Sequence, residues 1–511
     1  MSLRQGILLT GATGLLGRYL LRDLLYSGRS VSVLIRESPT ERAEERLAQL
    51  LAFGEESLNR KLPRPTLLQG DLNAAGLGLG IAERSWLARH TRAVIHSAAY
   101  VSYHPTPDGE PWETNIHGTR RLLELCRSLG LAELHHLSTA FICGDRRGIV
   151  HEDELDCGKG SRNAYEQSKF AAEQLVRRFH GLRTTIYRPS VIVGDSRTGY
   201  TSTYHHFYRF LELAVRLSSP HIQAHQENHK PRRQRLPIRL PLTGNETQNL
   251  VPVDWVSRAI LSLLNLPQWH GRTFHLAAWQ AVRLQEIKEI IEDLLRIEGI
   301  QWTGRDGLAN PTSLEKLVLE QFQDYWSYLD NDLVFDCRNM RQALPNVPPP
   351  PFDRELVIRL LRFAQDDNWG RERRGKLPQA FDLAHHLEHV LPEKVRHSPI
   401  ASALPHGLLF VLDIRGEGGG TWSCCWADGM LNVRRGLDAA AVVTYRMDSS
   451  IFEALLQGRQ SPQRAFFDGQ IEIDGDMEKA LKLAFFIEHF LAESSDRPTP
   501  RMEAAHAGVE F

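Results

Sequence analysis

The sequence predicts an α/β protein: a doubly wound parallel sheet with a smaller substrate lobe, followed by a separate α+β domain. Three observations carry this. Strand-like and helix-like segments alternate from the amino terminus. A Gly-rich turn, TGATGLLG, joins the first strand to the first helix. Beyond about residue 380 the alternation gives way to a run of strands and then helices.

The elements follow in order. ILLTGATG reads as a strand entering a turn, and LLGRYLLRDLLYSG as a helix stopping at Gly28. SVSVLIR, PTLLQGDL and TRAVIHSAA are the next strands, then ELHHLSTAFICG and LRTTIYRPSVIVG. Right-handed crossovers through helices make such strands neighbours in a parallel sheet. After about residue 195 the pattern fades, returning at NLVPVDWVSRAILSLL, with helices expected at Leu284–Glu298 and Leu314–Tyr328. The substrate lobe is placed mainly at 196–345 of a first domain spanning 1–365. Polar residues 366–380 read as a linker. GLLFVLDIRG, GTWSCCWADG, MLNVRRG and AAVVTYRMD read as strands of a second domain, 381–495, with helices at SSIFEALLQG and DMEKALKLAFFIEHFL. Residues 496–511 read as a flexible tail.

The 511 residues carry 61 Lys+Arg against 62 Asp+Glu, a net charge of −1. That balance gives no bulk attraction to nucleic acid or an anionic membrane, and nucleic acid is not an expected partner. No apolar run approaches the ~20 residues that span a bilayer. Six scattered cysteines lack metal spacing, and no metal site is expected. A reducing, cytoplasmic setting is expected, with no amino-terminal targeting segment. Adjacent Cys424 and Cys425 read as strand residues facing opposite ways.

Two motifs carry chemistry. In Gly11-Ala12-Thr13-Gly14-Leu15-Leu16-Gly17, glycines permit a tight bend, close approach to a pyrophosphate, and helix–strand packing. At the end of the second strand stands Arg36, whose guanidinium suits a 2′-phosphate, so NADP(H) is the expected cofactor. The other reading leaves Arg36 in solvent and Glu37 serving NAD. In Tyr165-Glu166-Gln167-Ser168-Lys169, the phenol and ammonium share a helix face. A nearby ammonium, together with an oxidised nicotinamide, is expected to bring the phenol down from its usual value near ~10. Upstream, Ser138 and Thr139 offer hydroxyls. A hydroxyl, a phenol and an ammonium form a carbonyl-reducing set. The basic cluster Lys230, Arg232, Arg233, Arg235 and Arg239 reads either as a phosphate-holding patch or, preferably, as a solvated loop.

On TGATGLLG, GDL, HSAA, TNIHGT, STAFICG, YEQSK, YRPSVIVG and VPVDWV, residues 5–365 resemble the extended short-chain dehydrogenases/reductases of the epimerase/dehydratase superfamily. GDLNAAGLGLG and NAYEQSKFAAEQLV bring the chain nearest the male-sterility type, the fatty acyl-CoA and thioester reductases. The resemblance implies that Thr139, with Ser138 as second choice, polarises a carbonyl. It implies that Tyr165 and Lys169 complete the catalysis and that Asn115 supports the active-site helix. It implies a Rossmann-type core in which Gly11, Thr13, Gly14, Leu15, Leu16, Gly17, Asp71, Leu72, Ser97, Ala98, Ala99, Pro189 and Val191 hold the cofactor beside Arg36, Tyr165 and Lys169. FVLDIRG, WADGML and FFDGQIEIDGDMEKALKLA resemble the sterol-carrier-protein fold, which implies a lipid-binding second domain. The implied function is NADPH-dependent reduction of a lipophilic carbonyl or acyl thioester, with coenzyme A or an acyl carrier protein as the bearer. A sterol or hydroxy-lipid dehydrogenase, and a non-catalytic lipid-transfer protein, are the alternatives.

Overall fold

The structure, a computed structural model, describes residues 5–38, 41–156, 158–218, 233–373, 383–396 and 407–483, the last with short gaps. The chain divides into two compact units. The first comprises 1–208, 244–290 and 324–366, and the second 209–243, 291–323 and 367–511. Segments 209–243 and 291–323, which the sequence places in the substrate lobe, thus group with the carboxyl-terminal residues.

The first unit is built on seven parallel strands: β1 (Gly6–Thr10), β2 (Val31–Ile35), β3 (Thr66–Gln69), β4 (Thr91–His96), β5 (Glu133–Leu137), β6 (Arg183–Pro189) and β7 (Thr273–Leu276). Their spatial order is 3-2-1-4-5-6-7, and every neighbouring pair is parallel. β1 and β2 are buried at every position, as strands covered on both faces must be. The helices are α1 (Leu15–Tyr26), α2 (Ala43–Leu58), α3 (Ile81–His90), α4 (Thr119–Ser128) and α5 (Ala164–Arg178). α6 (Phe207–Ser218) belongs to the second unit from Arg209 on, and α7 (Val253–Leu264) belongs to the first.

α7 arrives from far along the chain and packs on α1. Its Ser257 hydroxyl donates to Asp23 of α1 at 2.7 Å, and Trp255 is wholly buried. Reversal of winding between β1 and β4 opens a crevice at the carboxyl ends of the strands, where ligands of such folds sit. Nearly all the motif residues lie there.

Two expected elements differ in extent. The helix expected over 284–298 ends at Leu295, because Arg296 takes a left-handed φ of 54°. The helix expected over 314–328 is two, Ser313–Gln321 and Gln323–Leu329.

In the second unit β8 (Leu408–Arg415), β9 (Gly420–Ala427), β10 (Met430–Arg435), β11 (Val443–Asp448) and β12 (Ile471–Gly475) form one sheet, ordered 10-9-8-11-12. Helices α8 (Ser449–Leu456) and α9 (Pro462–Phe467) connect β11 to β12. Along β9, Trp422, Cys424 and Trp426 are buried while Cys425 is only half-buried, the expected alternation. The expected tail, Lys230, Arg232, residues 374–380 of the expected linker and most of the last expected helix lie outside the described residues. Among the described residues no helix is long and apolar enough to cross a membrane.

Candidate active site

The nucleotide end is made by backbone. Gly11 takes a φ of 76°, and a Cβ there would stand 2.4 Å from the Ala98 nitrogen. A Cβ on Gly17 would stand 1.9 Å from the Gly11 carbonyl oxygen, so α1 can lie on β1 only without it. At Gly14 an added Cβ would meet only the Gly11 carbonyl, at 3.5 Å. Gly14 caps α1 with no side chain over the first N–H groups. An open helix amino terminus beside a bare glycine fits a pyrophosphate.

The cleft at this end encloses about 270 Å³. Its lining includes Gly11, Thr13, Gly14, Arg36, Asp71, Leu72, Ser97, Ala98 and Ala99. Leu15, Leu16, Gly17, Tyr165, Lys169, Pro189 and Val191 are not part of that lining. Arg36 lies 3.6 Å from Asp71, both partly exposed. Arg46 of α2 also lines the cleft and donates to the Arg36 carbonyl oxygen. Sequence reasoning misses Arg46. Arg42 and Arg46 are one helical turn apart, but Arg42 is engaged by Glu45, leaving Arg46 to turn toward the cleft.

The candidate catalytic edge is made by buried side chains. Asn115 sits in a π-helical turn, Glu113–Gly118, of the kind that often marks functional sites. Its side-chain oxygen accepts from the Tyr100 N–H at 2.8 Å, and its amide donates to the Tyr100 carbonyl at 3.0 Å and to Ser168 Oγ at 2.8 Å. Ser168 Oγ donates in turn to the Tyr165 carbonyl at 2.8 Å. Asn115 therefore staples the cofactor-side loop at Tyr100 to α5. A second chain runs Thr10–His96–Thr119–Asn115, with contacts of 2.8, 3.0 and 2.6 Å. Burial pushes His96 down to about 3, so this link stays neutral.

Lys169 is 3% exposed, and its Nζ donates to the Leu137 carbonyl at 2.6 Å, two residues before Thr139. Burial pushes Lys169 down to about 8, against the opposing pull of Glu173. Thr139 is buried, and its Oγ1 accepts from the Phe141 N–H at 3.3 Å, capping the short helix Ala140–Cys143. Ser138 is buried as well, and its hydroxyl has no hydrogen-bond partner among the described residues. Arg188 clamps Glu173 with Nη2 at 2.6 Å and Nε at 3.1 Å.

The Lys169 ammonium alone does not lower the Tyr165 phenol. Burial, with the Glu166 charge adding to it, pushes Tyr165 up to about 12. One N–H of the Lys169 ammonium goes to the Leu137 carbonyl. The phenol therefore keeps its proton throughout the neutral range.

The basic cluster is partly structural. Arg239 grips the buried Glu315 with two bonds of 2.8 Å, and Arg233 lies 3.3 Å from Asp293. At the opposite end of β5 the fold gathers ligand atoms of Glu133, His135 and His270 within 4.8 Å of one another, which no spacing in the sequence signals. Arg92 holds Glu133 at 3.0 Å. Burial pushes His135 down to about 3, and the charges of His270, Arg29 and Arg92 that add to this also oppose a divalent cation.

Residues 9–260 match the family model of the NAD-binding male sterility protein, and residues 401–488 match the SCP-2 sterol transfer family. The chain is 28% identical over 367 residues to the nonribosomal peptide synthetase asaC of Aspergillus flavus, covering 66% of this chain and 34% of that one. It is 26% identical over 402 residues to the aldehyde reductase lnaA of the same organism, covering 70% and 36%. The chain thus spans about a third of the length of these relatives. Among solved structures it is similar to the terminal R domain from the myxalamid PKS-NRPS biosynthetic pathway. That likeness has 26% identity and a TM-score of 0.56, covering 71% of this chain and 91% of that one.

Proposed function

Because the chain belongs to the male-sterility type of extended short-chain dehydrogenase/reductase and carries an SCP-2 sterol-transfer module, we propose that it reduces a lipophilic acyl thioester or aldehyde with NADPH. The observation that carries this reading is the catalytic edge. Lys169 is anchored at Leu137, Thr139 follows two residues later, and Tyr165 stands one helical turn from Lys169.

The residues present fit a nicotinamide dinucleotide. Gly11, Gly14 and the start of α1 take the pyrophosphate. Arg36 and Arg46 take a 2′-phosphate. When bound, the nicotinamide supplies the hydride.

The remaining chemistry belongs to the chain. Thr139 and Tyr165 donate hydrogen bonds to the substrate oxygen as it gains charge. Tyr165 gives the proton, and general acid catalysis of this kind is worth ~10²–10⁴-fold. Lys169 holds a positive charge beside the reacting oxygen. Asn115 and Ser168 fix the start of α5, and so the aim of the phenol. For a thioester, loss of the thiol leaves an aldehyde. The SCP-2 module holds the acyl chain, since each buried methylene contributes about 0.8 kcal/mol. Coenzyme A or a carrier protein bears the acyl group.

The test incubates the full chain with NADPH and palmitoyl-coenzyme A, a carrier-bound palmitoyl group, or palmitaldehyde. Cofactor oxidation is followed and the products identified by mass spectrometry. Aldehyde or alcohol is expected. NAD(P)-linked oxidation of a hydroxysterol, with no reduction of any acyl substrate, would replace this reading by the sterol dehydrogenase one.

A further inference from the structure

Helix α6 falls inside the stretch matched to the reductase family, yet from Arg209 onward it belongs to the same compact unit as the SCP-2 module. Arg209, Glu212 and Arg216 lie at spacings of three and four along it and share a face. Glu212 is 3% exposed. Its carboxylate takes Arg216 Nη2 at 2.8 Å and stands 3.6 Å from Arg209 Nη1, so one buried carboxylate aims two guanidiniums.

Both guanidiniums end on the module. Arg209 Nη2 reaches Asp468 Oδ1 at 2.9 Å. Arg216 Nη1 donates to the Phe466 carbonyl at 2.8 Å and to the Ile471 carbonyl at 3.4 Å, and its guanidinium stands 5.8 Å from the Phe466 ring centroid. Phe466 lies in the last turn of α9, where carbonyl groups lack helical partners and favour a cation. Ile471 opens β12. The contact thus joins charge to charge, cation to helix end and cation to ring within one turn-and-strand corner of the module.

We infer that this face of α6 is a built seat for the lipid module, and that Arg209, Glu212, Arg216 and Asp468 are positioning residues setting the preference for long acyl chains. The selectivity part rests on the proposed reductase function. A module on a linker alone samples many orientations and raises local substrate concentration only in proportion to its reach. A module seated on α6 does not swing free of that helix.

The test compares the full-length enzyme with Arg209→Asp and with the double variant Arg209→Asp/Asp468→Arg, which restores the pair with its charges exchanged. Two readouts are taken: amide hydrogen exchange over residues 466–471, and the ratio of kcat/KM for palmitoyl and butyryl thioesters. Arg209→Asp should speed the exchange and lower the ratio about tenfold by loss of effective concentration, while butyryl turnover and Tm hold. The double variant should recover both. Unchanged exchange in Arg209→Asp would overturn the seat. Faster exchange with an unchanged ratio would overturn its role in selectivity. An unaltered enzyme that turns over neither thioester would defeat the reductase reading instead, and the exchange data would still decide the seat.

Discussion

The two ends of the crevice are built from different materials. The nucleotide end is backbone: Gly11, Gly14, Gly17 and an uncapped helix start, with Arg36 and Arg46 in partial contact with solvent. The proposed catalytic end is side chain: Asn115, Ser168 and Lys169 are buried and bonded to one another's surroundings at 2.6–3.0 Å. A backbone site fails when atoms are added, and a side-chain site fails when they are removed.

The largest break should come from removing one atom at the catalytic end. Tyr165→Phe should lower kcat by about 10²–10⁴-fold, because the proton donor is gone. Cofactor affinity, read by fluorescence titration, should stay near that of the unaltered protein. Adding atoms tests the other end. Gly17→Ala drives a methyl into the Gly11 carbonyl and should lower stability by about 1–3 kcal/mol, read as a fall in Tm. Gly14→Ala should leave Tm unchanged and weaken only the cofactor, since its Cβ meets no protein atom closer than 3.5 Å.

A third expectation concerns pH. Lys169 is held down to about 8, so its ammonium is lost as pH rises through that value, while Tyr165, held up to about 12, keeps its proton. Reduction should therefore slow above about pH 8, and Lys169→Met should flatten that limb of the kcat profile. The smallest effect belongs to the exposed arginines. Arg36→Ala and Arg46→Ala should each cost about 1–3 kcal/mol of NADPH affinity and leave NADH affinity unchanged. Equal loss for both cofactors would remove the 2′-phosphate assignment.

Legibility in the sequence followed the same division. The Gly-rich turn was readable because only glycine meets its steric demands, and the strands β1 to β6 because long apolar runs alternate with helical periodicity. β7 was not read: Thr273–Leu276 is a four-residue edge strand reached after a long excursion, with no alternation around it. Arg46 was not read because a sequence does not say which arginine of α2 turns back. The direction of the Tyr165 shift was not read either. Proximity of an ammonium is visible in the spacing, but desolvation and the competing Leu137 carbonyl exist only in three dimensions. The grouping of 209–243 and 291–323 with the carboxyl-terminal residues rests on contacts remote in sequence, such as Arg209 with Asp468.

The packing of α7 on α1 sets an order of events during synthesis. The partner surface of α1, with Ser257, is encoded roughly 230 residues after it, a delay of about 10–50 s at ordinary elongation rates. During that interval an apolar flank of the first helix is uncovered, and the nascent chain is a client for chaperones. Arrested chains emerging just short of Val253 should be cut readily by protease, and those emerging past Leu264 should resist it. Helix α1 is therefore finished only once α7 has been made.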